Sequence, residues 1–265
     1  MPREVVVADL MLPPGYQAHD LRGASAFAWG PASDWLASAL EGGSSLHAWA
    51  ERREDAKPLV GRGTVHAIDA PADGPAKQKR WAVRRYRRGG LAAPILGDRY
   101  LRTSATRPIR ELWATVEARA RGVPAPAVVA GAVYPFGPFY RSDLVTELIP
   151  DARTLEARIF GSGGTSDAAS ALRQAGRLVG TLERALVLHV DLHAANILLV
   201  RGAEESGARV VDLDRAIVFP LGSREFGEAM RKRLERSLRK LSERHARALT
   251  ADEWDALRAG YTDPP

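Results

Sequence analysis

The sequence predicts an α+β protein of two lobes, and three observations carry that expectation. Strand-like runs dominate the first half, the longest helical periodicities fall in the second, and no internal repeat organises the chain. At 265 residues there is enough chain for one large domain or for two lobes about a cleft.

Residues 1 to about 60 are loosely patterned, with Pro13-Pro14-Gly15 and Gly42-Gly43-Ser44-Ser45 as loops and a short helix around Asp34-Trp35-Leu36-Ala37. Two β-like runs follow, Thr64–Ile68 and Trp81–Tyr86. The polar, Pro/Gly-containing turn between them, Ala70 to Lys79, makes them a hairpin. Pro108 suits a first helical turn and opens a helix over Ile109–Ala120, closed by Gly122 and Pro124. Strands are expected at Ala127–Val133 and Leu144–Leu148. A Gly/Ser loop then leads into a long amphipathic helix, Ala168–Leu186, with Leu172, Ala175, Leu178, Val179 and Leu182 near a 3.6-residue period. Strands Ile197–Val200 and Arg209–Leu213 come next, then a basic helix from about Glu225 to Ala248. The lobes are set at 1–147 and 148–265, with 1–57 as an extension before the β lobe proper at 58–147.

Composition excludes several classes. Hydrophobic residues at 45% and charged residues at 26% are ordinary for a globular chain. No apolar run approaches the roughly 18 residues of a membrane span; the longest candidate, Val123 to Tyr134, is broken by Pro124 and Pro126. Met1-Pro2-Arg3-Glu4-Val5 lacks a signal-peptide pattern, so export is not expected. The absence of cysteine rules out disulfides and thiolate metal sites and suits a reducing compartment. A net charge of +6 favours anionic partners, though an Arg-rich composition alone would also produce it. No nucleic-acid module is recognisable, and nucleic acid is not an expected partner.

The chemistry concentrates in Leu188-His189-Val190-Asp191-Leu192-His193-Ala194-Ala195-Asn196, immediately before the apolar run Ile197-Leu198-Leu199. An acid and an amide stand five residues apart, and a second apolar strand then ends in Asp212-Leu213-Asp214. Phosphoryl transfer from Mg-ATP needs such parts: one carboxylate to orient the attacking hydroxyl, an amide oxygen and another carboxylate for Mg²⁺, and cations for the phosphates. Asp191 is then the base, and Asn196 and Asp212 are the metal ligands. Asp214 either assists the metal or structures the loop, and His189 supports the loop by hydrogen bonding. Buried turn hydrogen bonds would account for His189 and Asp191 singly, but not for the order of all four groups. A hydrolytic metal cluster of His189, Asp191 and His193 lacks further His ligands nearby.

This combination resembles the catalytic loop of the protein-kinase-like superfamily, H-x-D-x-x-x-x-N followed by a strand and D-x-D or D-F-G. The resemblance implies a bilobal kinase fold, a β-rich N-lobe with one key helix and a mostly helical C-lobe, with ATP between them. It puts Arg84, in Trp81-Ala82-Val83-Arg84, where the superfamily has its phosphate-contacting Lys. Arg is competent there because its planar fork binds phosphate or carboxylate through two bonds. Glu111 on the following helix would pair with Arg84. Gly61 and Gly63 would let the backbone approach phosphates, or make an ordinary turn. Glu147 to Ile149 would be the hinge whose backbone reads adenine.

Further segments narrow the likeness to bacterial 3-deoxy-D-manno-octulosonic acid (Kdo) kinases of the lipopolysaccharide kinase family. They are Arg84-Arg85-Tyr86-Arg87-Arg88-Gly89-Gly90, Asp98-Arg99-Tyr100-Leu101, Arg107 with Arg110-Glu111, and Gly122-Val123-Pro124-Ala125-Pro126. Tyr140 to Pro150, Val211 to Arg215, Arg233 to Leu241 and Gly260-Tyr261 complete the set. The likeness covers about 58 to 261. It departs at His193, commonly Asn in the family, and at Leu213, commonly Phe; His193-Ala194-Ala195-Asn196 also echoes aminoglycoside and choline kinase-like enzymes. The resemblance implies transfer of the ATP γ-phosphate to the 4-hydroxyl of Kdo on a lipid A precursor, with heptose or small-molecule kinases as the alternative. It also implies a cytoplasmic location at the inner membrane. No long activation segment follows Asp214. Two basic clusters suit an anionic lipid surface: Lys77 to Arg88, and Arg231 to Arg247 on the late helix. On that helix Leu234, Leu238 and Leu241 share one face, which reads as a core stripe with a solvated basic back.

Overall fold

The computed structural model describes residues 11–59, 65–87, 98–101, 105–161, 167–200, 207–222 and 227–263. It separates into two compact units: 1–116 with 127–148, and 117–126 with 149–265. Each is described by itself below.

The first unit is built on an antiparallel sheet in the order β1-β2-β7-β8-β5-β4-β3, with β6 pairing to β8 off this path. The strands are β1 (Tyr16–Leu21), β2 (Ala24–Trp29), β3 (Lys57–Leu59), β4 (Val65–Asp69), β5 (Arg80–Arg85), β6 (Tyr100–Leu101), β7 (Val128–Phe136) and β8 (Phe139–Glu147). Alternation along each strand sends side chains to opposite faces. Ala26, Ala28, Trp81, Val83 and Val145 face one way, packing against Leu36, Leu40, Leu46 and Ala50 of helices α1 (Ser33–Glu41) and α2 (Leu46–Glu51). Phe27, Tyr86, Tyr140 and Leu144 face the other way, with Ile109 and Leu112 of α3 (Arg107–Ala120) over them. The last turn of α3 belongs to the second unit.

The expected β4–β5 hairpin is present, with Val65 opposite Arg84 and Asp69 opposite Arg80. The strands flanking Gly137 are longer than their apolar cores suggested. They meet as a second hairpin in which Gly137 takes φ 54°, a turn conformation natural to glycine. The N-terminal stretch corrects the sequence reading: Tyr16 to Trp29 forms a regular hairpin paired to the centre of the sheet through β2–β7. Its β2 is Ala-rich with both faces buried, so the alternation that marks a half-exposed strand is missing.

The second unit contains two short sheets, β12-β11-β9 and β10-β13, formed by β9 (Ala152–Thr154), β10 (Val187–Leu188), β11 (Ile197–Val200), β12 (Ala208–Val210) and β13 (Ile217–Val218). Its helices are α4 (Leu155–Phe160), α5 (Ala168–Arg184), α6 (Gly227–Arg244) and α7 (Ala251–Thr262). In α5 the predicted apolar face, including Leu172, Ala175, Leu178, Val179 and Leu182, is buried. Gly176 and Gly260 bring α5 and α7 into backbone contact: a Cβ on Gly176 would lie 2.2 Å from the Leu257 carbonyl oxygen, and one on Gly260 2.3 Å from that of Arg173. The leucine stripe of the basic helix faces the core as expected, with Met230, Leu234, Leu238 and Leu241 buried. That helix stops at Arg244, and a separate helix, α7, follows behind a capping box of Thr250 and Glu253.

Candidate active site

Strand β5 carries Arg84 and α3 carries Glu111, and the two side chains meet. Arg84 Nη2 donates to both Glu111 carboxylate oxygens at 2.6 and 2.5 Å, and the Tyr86 hydroxyl donates to Oε2 at 2.5 Å. Glu111 is 4% exposed, so its charge is tolerated because the Arg84 cation lies against it. The guanidinium also lies over the Tyr86 ring, 4.5 Å from its centroid, which restricts it further. Arg107, at the start of α3, sits over the Tyr100 ring at 4.4 Å, and its backbone N–H donates to the Tyr140 hydroxyl. The segments singled out around Arg84, Tyr100, Arg107 and Tyr140 thus converge on one face of the sheet.

A neighbouring set escaped the sequence reading. Asp143 on β8 is fully buried and accepts from the His47 backbone N–H at 2.9 Å, the Tyr134 hydroxyl at 3.2 Å and Arg85 Nε at 3.4 Å. Burial pushes its carboxyl pKa up, against the pull of those partners. Alternation along β5 is the signal that could have found it: Arg84 and Arg85 must face opposite sides, so two arginines need two acidic partners.

Glu147 closes β8 and is 2% exposed. Its Oε1 accepts from the backbone N–H groups of Ala76 at 2.8 Å and Gln78 at 3.4 Å, so the side chain holds the β4–β5 turn. Its own N–H donates to the Ala127 carbonyl, and that of Leu148 to Arg80. The division between units falls directly after Leu148, so Ile149 is the first residue of this stretch in the second unit. Gly61 and Gly63 lie outside the described residues.

In the second unit the acid–amide segment runs from β10 through a 3-10 turn, Ala194–Asn196, into β11. Main-chain bonds stitch it to the segment after β12. His189 Nε2 lies 3.1 Å from the Val211 carbonyl, which can only accept, so this nitrogen carries the proton. The Val211 N–H donates to the Asn196 carbonyl at 3.0 Å, and Asn196 Nδ2 donates to the Asp191 carbonyl at 3.1 Å. Four of the predicted residues are thereby brought together: His189, Asp191, Asn196 and, one residue beyond Val211, Asp212. The strand expected through Leu213 ends at Val210. Asp212 instead takes φ 68° and ψ 53°, turning the chain into a 3-10 turn over Leu213–Arg215 that buries Asp214. Asp is among the few residues that tolerate this left-handed conformation.

His189 is 1% exposed. Burial lowers its pKa, outweighing the bond to the Val211 carbonyl and the carboxylates of Asp212, Asp191 and Asp214, which pull it upward. Asp191 is half-exposed, and Arg233 of α6 lies beside it, Nη2 to Oδ1 3.4 Å. Sequence reasoning placed Arg233 in a segment shared with the family and in a basic surface cluster, without a link to Asp191; nothing in local spacing links positions so far apart. Ser237, one turn further along α6, accepts from the Ala194 N–H at 3.2 Å, so the same helix braces the loop at two points.

Several other cations of that cluster are engaged within the protein. Arg231 pairs with Glu183, Arg239 with Glu235, and Arg247 with Glu253. Among the described residues no helix is long and apolar enough to cross a membrane.

The donor set suits a hard divalent cation. With Nδ2 of Asn196 committed to the Asp191 carbonyl, the amide has Oδ1 left as its acceptor, and Asp212 stands two residues beyond β12, the strand paired with β11.

Residues 47–261 match the lipopolysaccharide kinase (Kdo/WaaP) family. A 3-deoxy-D-manno-octulosonic acid kinase of Xanthomonas euvesicatoria pv. vesicatoria is 31% identical over 223 residues, 82% of this chain and 82% of the relative. A protein of the same name from Vibrio cholerae serotype O1 is 31% identical over 194 residues, covering 72% and 77%. A solved structure of WaaP in complex with acyl carrier protein aligns over 84% of each chain at 17% identity, with a TM-score of 0.47. The chain therefore belongs to the lipopolysaccharide kinase (Kdo/WaaP) family.

Proposed function

We propose that the protein transfers the γ-phosphate of ATP to the 4-hydroxyl of Kdo on a lipid A precursor. The observation that carries the reading is the stitched pair of loops in the second unit, which holds Asp191, Asn196 and Asp212 through bonds to the main chain. The acceptor follows from the relatives named Kdo kinase.

In this reading Asp191 orients the acceptor hydroxyl and takes its proton as transfer proceeds. Its half-exposed carboxylate suits a group that must meet substrate. Asn196 Oδ1 and Asp212 would hold Mg²⁺, which when bound offsets charge on the phosphate oxygens. Asp214, buried in the turn that follows Asp212, assists the metal or fixes the loop. Arg84, restrained by Glu111 and Tyr86, contacts a phosphate. Arg233 stands where a cation could follow charge onto the acceptor oxygen. The backbone of the stretch from Glu147 to Ile149 reads adenine, and Gly61 and Gly63 serve the phosphates. The protein works in the cytoplasm against the anionic face of the inner membrane. Exposed Lys232, Arg236 and Lys240 on α6 supply the docking charge, each worth up to about 1 kcal/mol.

The test is transfer of labelled phosphate from Mg-ATP to purified Kdo-bearing lipid A precursor, comparing the wild type with Asp191→Asn. Transfer by the wild type and its loss in the variant, with ATP binding retained, is the expected result. If the wild type binds ATP and leaves the lipid unmodified, the acceptor assignment falls. If Asp191→Asn transfers at the wild-type rate, Asp191 is not the base.

A further inference from the structure

Away from the loops and the Arg84 network, the first unit carries a second group of chemically capable side chains. His47 and Glu51 stand four residues apart on α2 and so share one helix face. His66 lies on β4, opposite Val83 of β5 and Pro58 of β3. One imidazole nitrogen from each histidine and one Glu51 carboxylate oxygen all lie within 4.8 Å of one another. The two rings pack edge to face with centroids 4.7 Å apart. Both histidines are more than nine-tenths buried, whereas Glu51 is exposed.

The decisive atom is His66 Nε2. It is buried and finds no hydrogen-bond partner among the described residues, although a buried ring nitrogen left unsatisfied is costly. A metal ion is a partner that would satisfy it. We propose that His47, His66 and Glu51 form a binding site for a divalent transition-metal ion of the zinc, cobalt or nickel class.

The donor set sets the class: two imidazoles and one carboxylate suit these borderline ions, whereas Mg²⁺ takes oxygen donors. Bonds of roughly 2.0–2.2 Å place the donors of a tetrahedral centre about 3.4 Å apart. Donors at the full 4.8 Å must therefore close by about 1.4 Å, through turning of the exposed Glu51 side chain and of the two rings. That exposure also leaves the fourth position to water. The supporting structure is rigid where it matters. The His47 backbone N–H is bound by the buried Asp143, which fixes the first residue of the pair, and β4 is paired on both edges. Burial first, and the neighbouring His47 second, lower the pKa of His66, keeping it in the neutral form that ligates. This site is independent of the phosphoryl-transfer reading, since neither Asp191 nor Arg84 takes part in it.

The test uses the full-length protein, stripped with chelator and dialysed, titrated with Co²⁺ in the absence of nucleotide. The expected result is a visible d–d absorption that saturates at one equivalent, is bleached by Zn²⁺ and survives excess Mg²⁺. Glu51→Ala and His66→Ala should each weaken binding by more than about 100-fold, since loss of an outer-shell partner alone costs about 10- to 100-fold. Because His66 is buried and its replacement could disturb folding, Glu51→Ala is the deciding variant, with its thermal unfolding checked in parallel. Absence of saturable binding in the wild type overturns the proposal. So does binding that is equally strong in folded Glu51→Ala.

Discussion

Replacing Glu111 by glutamine separates a positioned cation from a merely structural one. Glu111 is almost fully buried and accepts two bonds from Arg84 and one from the Tyr86 hydroxyl. Glutamine keeps the shape and one oxygen, but removes the charge and replaces the second oxygen with a donor. Tyr86 can turn its hydroxyl to accept from that donor; Arg84 has only donors and cannot. Breaking a buried ion pair from one side costs about 3–5 kcal/mol. The Arg84 side chain is 23% exposed, so water partly compensates it, and about 2–3 kcal/mol is the expected loss. If Arg84 also contacts phosphate, loosening its tether forfeits about one charge-assisted bond, roughly 1.5–3 kcal/mol, or about 10- to 150-fold in kcat/KM for ATP. Urea unfolding followed by tryptophan fluorescence reads the first quantity. ATP titration of phosphoryl transfer, well below the unfolding transition, reads the second. Arg84→Lys serves as the companion: it keeps a cation able to contact phosphate but loses the forked geometry toward Glu111, so it should retain more activity than Glu111→Gln. A destabilised Glu111→Gln enzyme with unaltered kcat and KM for ATP would refute the role of Arg84. Unaltered stability would refute the network.

Two further predictions rest on separate contacts. Arg233→Met removes a pair in which both side chains are nearly half-exposed, so stability should change by no more than about 1 kcal/mol while kcat falls at least about tenfold; transfer assays with and without liposomes check this, and a loss confined to liposome binding would assign Arg233 to the docking surface instead. Gly176→Ala places a methyl 2.2 Å from the Leu257 carbonyl oxygen, so α5 and α7 must part, at a cost of about 2–3 kcal/mol in a thermal or urea melt; an unchanged melt would refute the close helix crossing.

The candidate site was legible because its residues are tied to patterns of short range. The acid–amide spacing sits in one loop against one strand, and a hydrogen bond from Asn196 to the Asp191 carbonyl is a local event. Arg84 and Glu111 were readable through the resemblance to the kinase superfamily, which set one on a strand and the other on the helix that follows, and the two side chains do meet. What stayed hidden is contact between distant positions: Arg233 with Asp191, Asp143 with the backbone of His47, and the His47–His66 pair. The N-terminal hairpin was hidden for another reason. With Phe27 and the alanines of β2 buried on both faces, its strand lacks the alternation that a half-solvated strand displays. Asp212 was assigned to the end of a strand because Val210-Val211 has β propensity. A left-handed residue there is set by the turn that buries Leu213 and Asp214, which propensity does not encode.

The charge state of His189 ties these parts together. The bond to the Val211 carbonyl and three carboxylates, Asp212, Asp191 and Asp214, favour its protonation, and burial opposes them and prevails. The imidazole therefore bonds the Val211 carbonyl as a neutral donor. A protonated ring would hold the same bond, yet it would put a fixed positive charge among the carboxylates proposed to bind Mg²⁺ and would weaken that binding by repulsion. Burial thus does two things at one position. It anchors the Val211 segment to the Asp191 loop, and it keeps the local charge negative, as the proposed Mg²⁺ site needs. A solvated histidine at 189 could make the first contribution but not the second, because its protonation would follow the neighbouring acids rather than the packing around it.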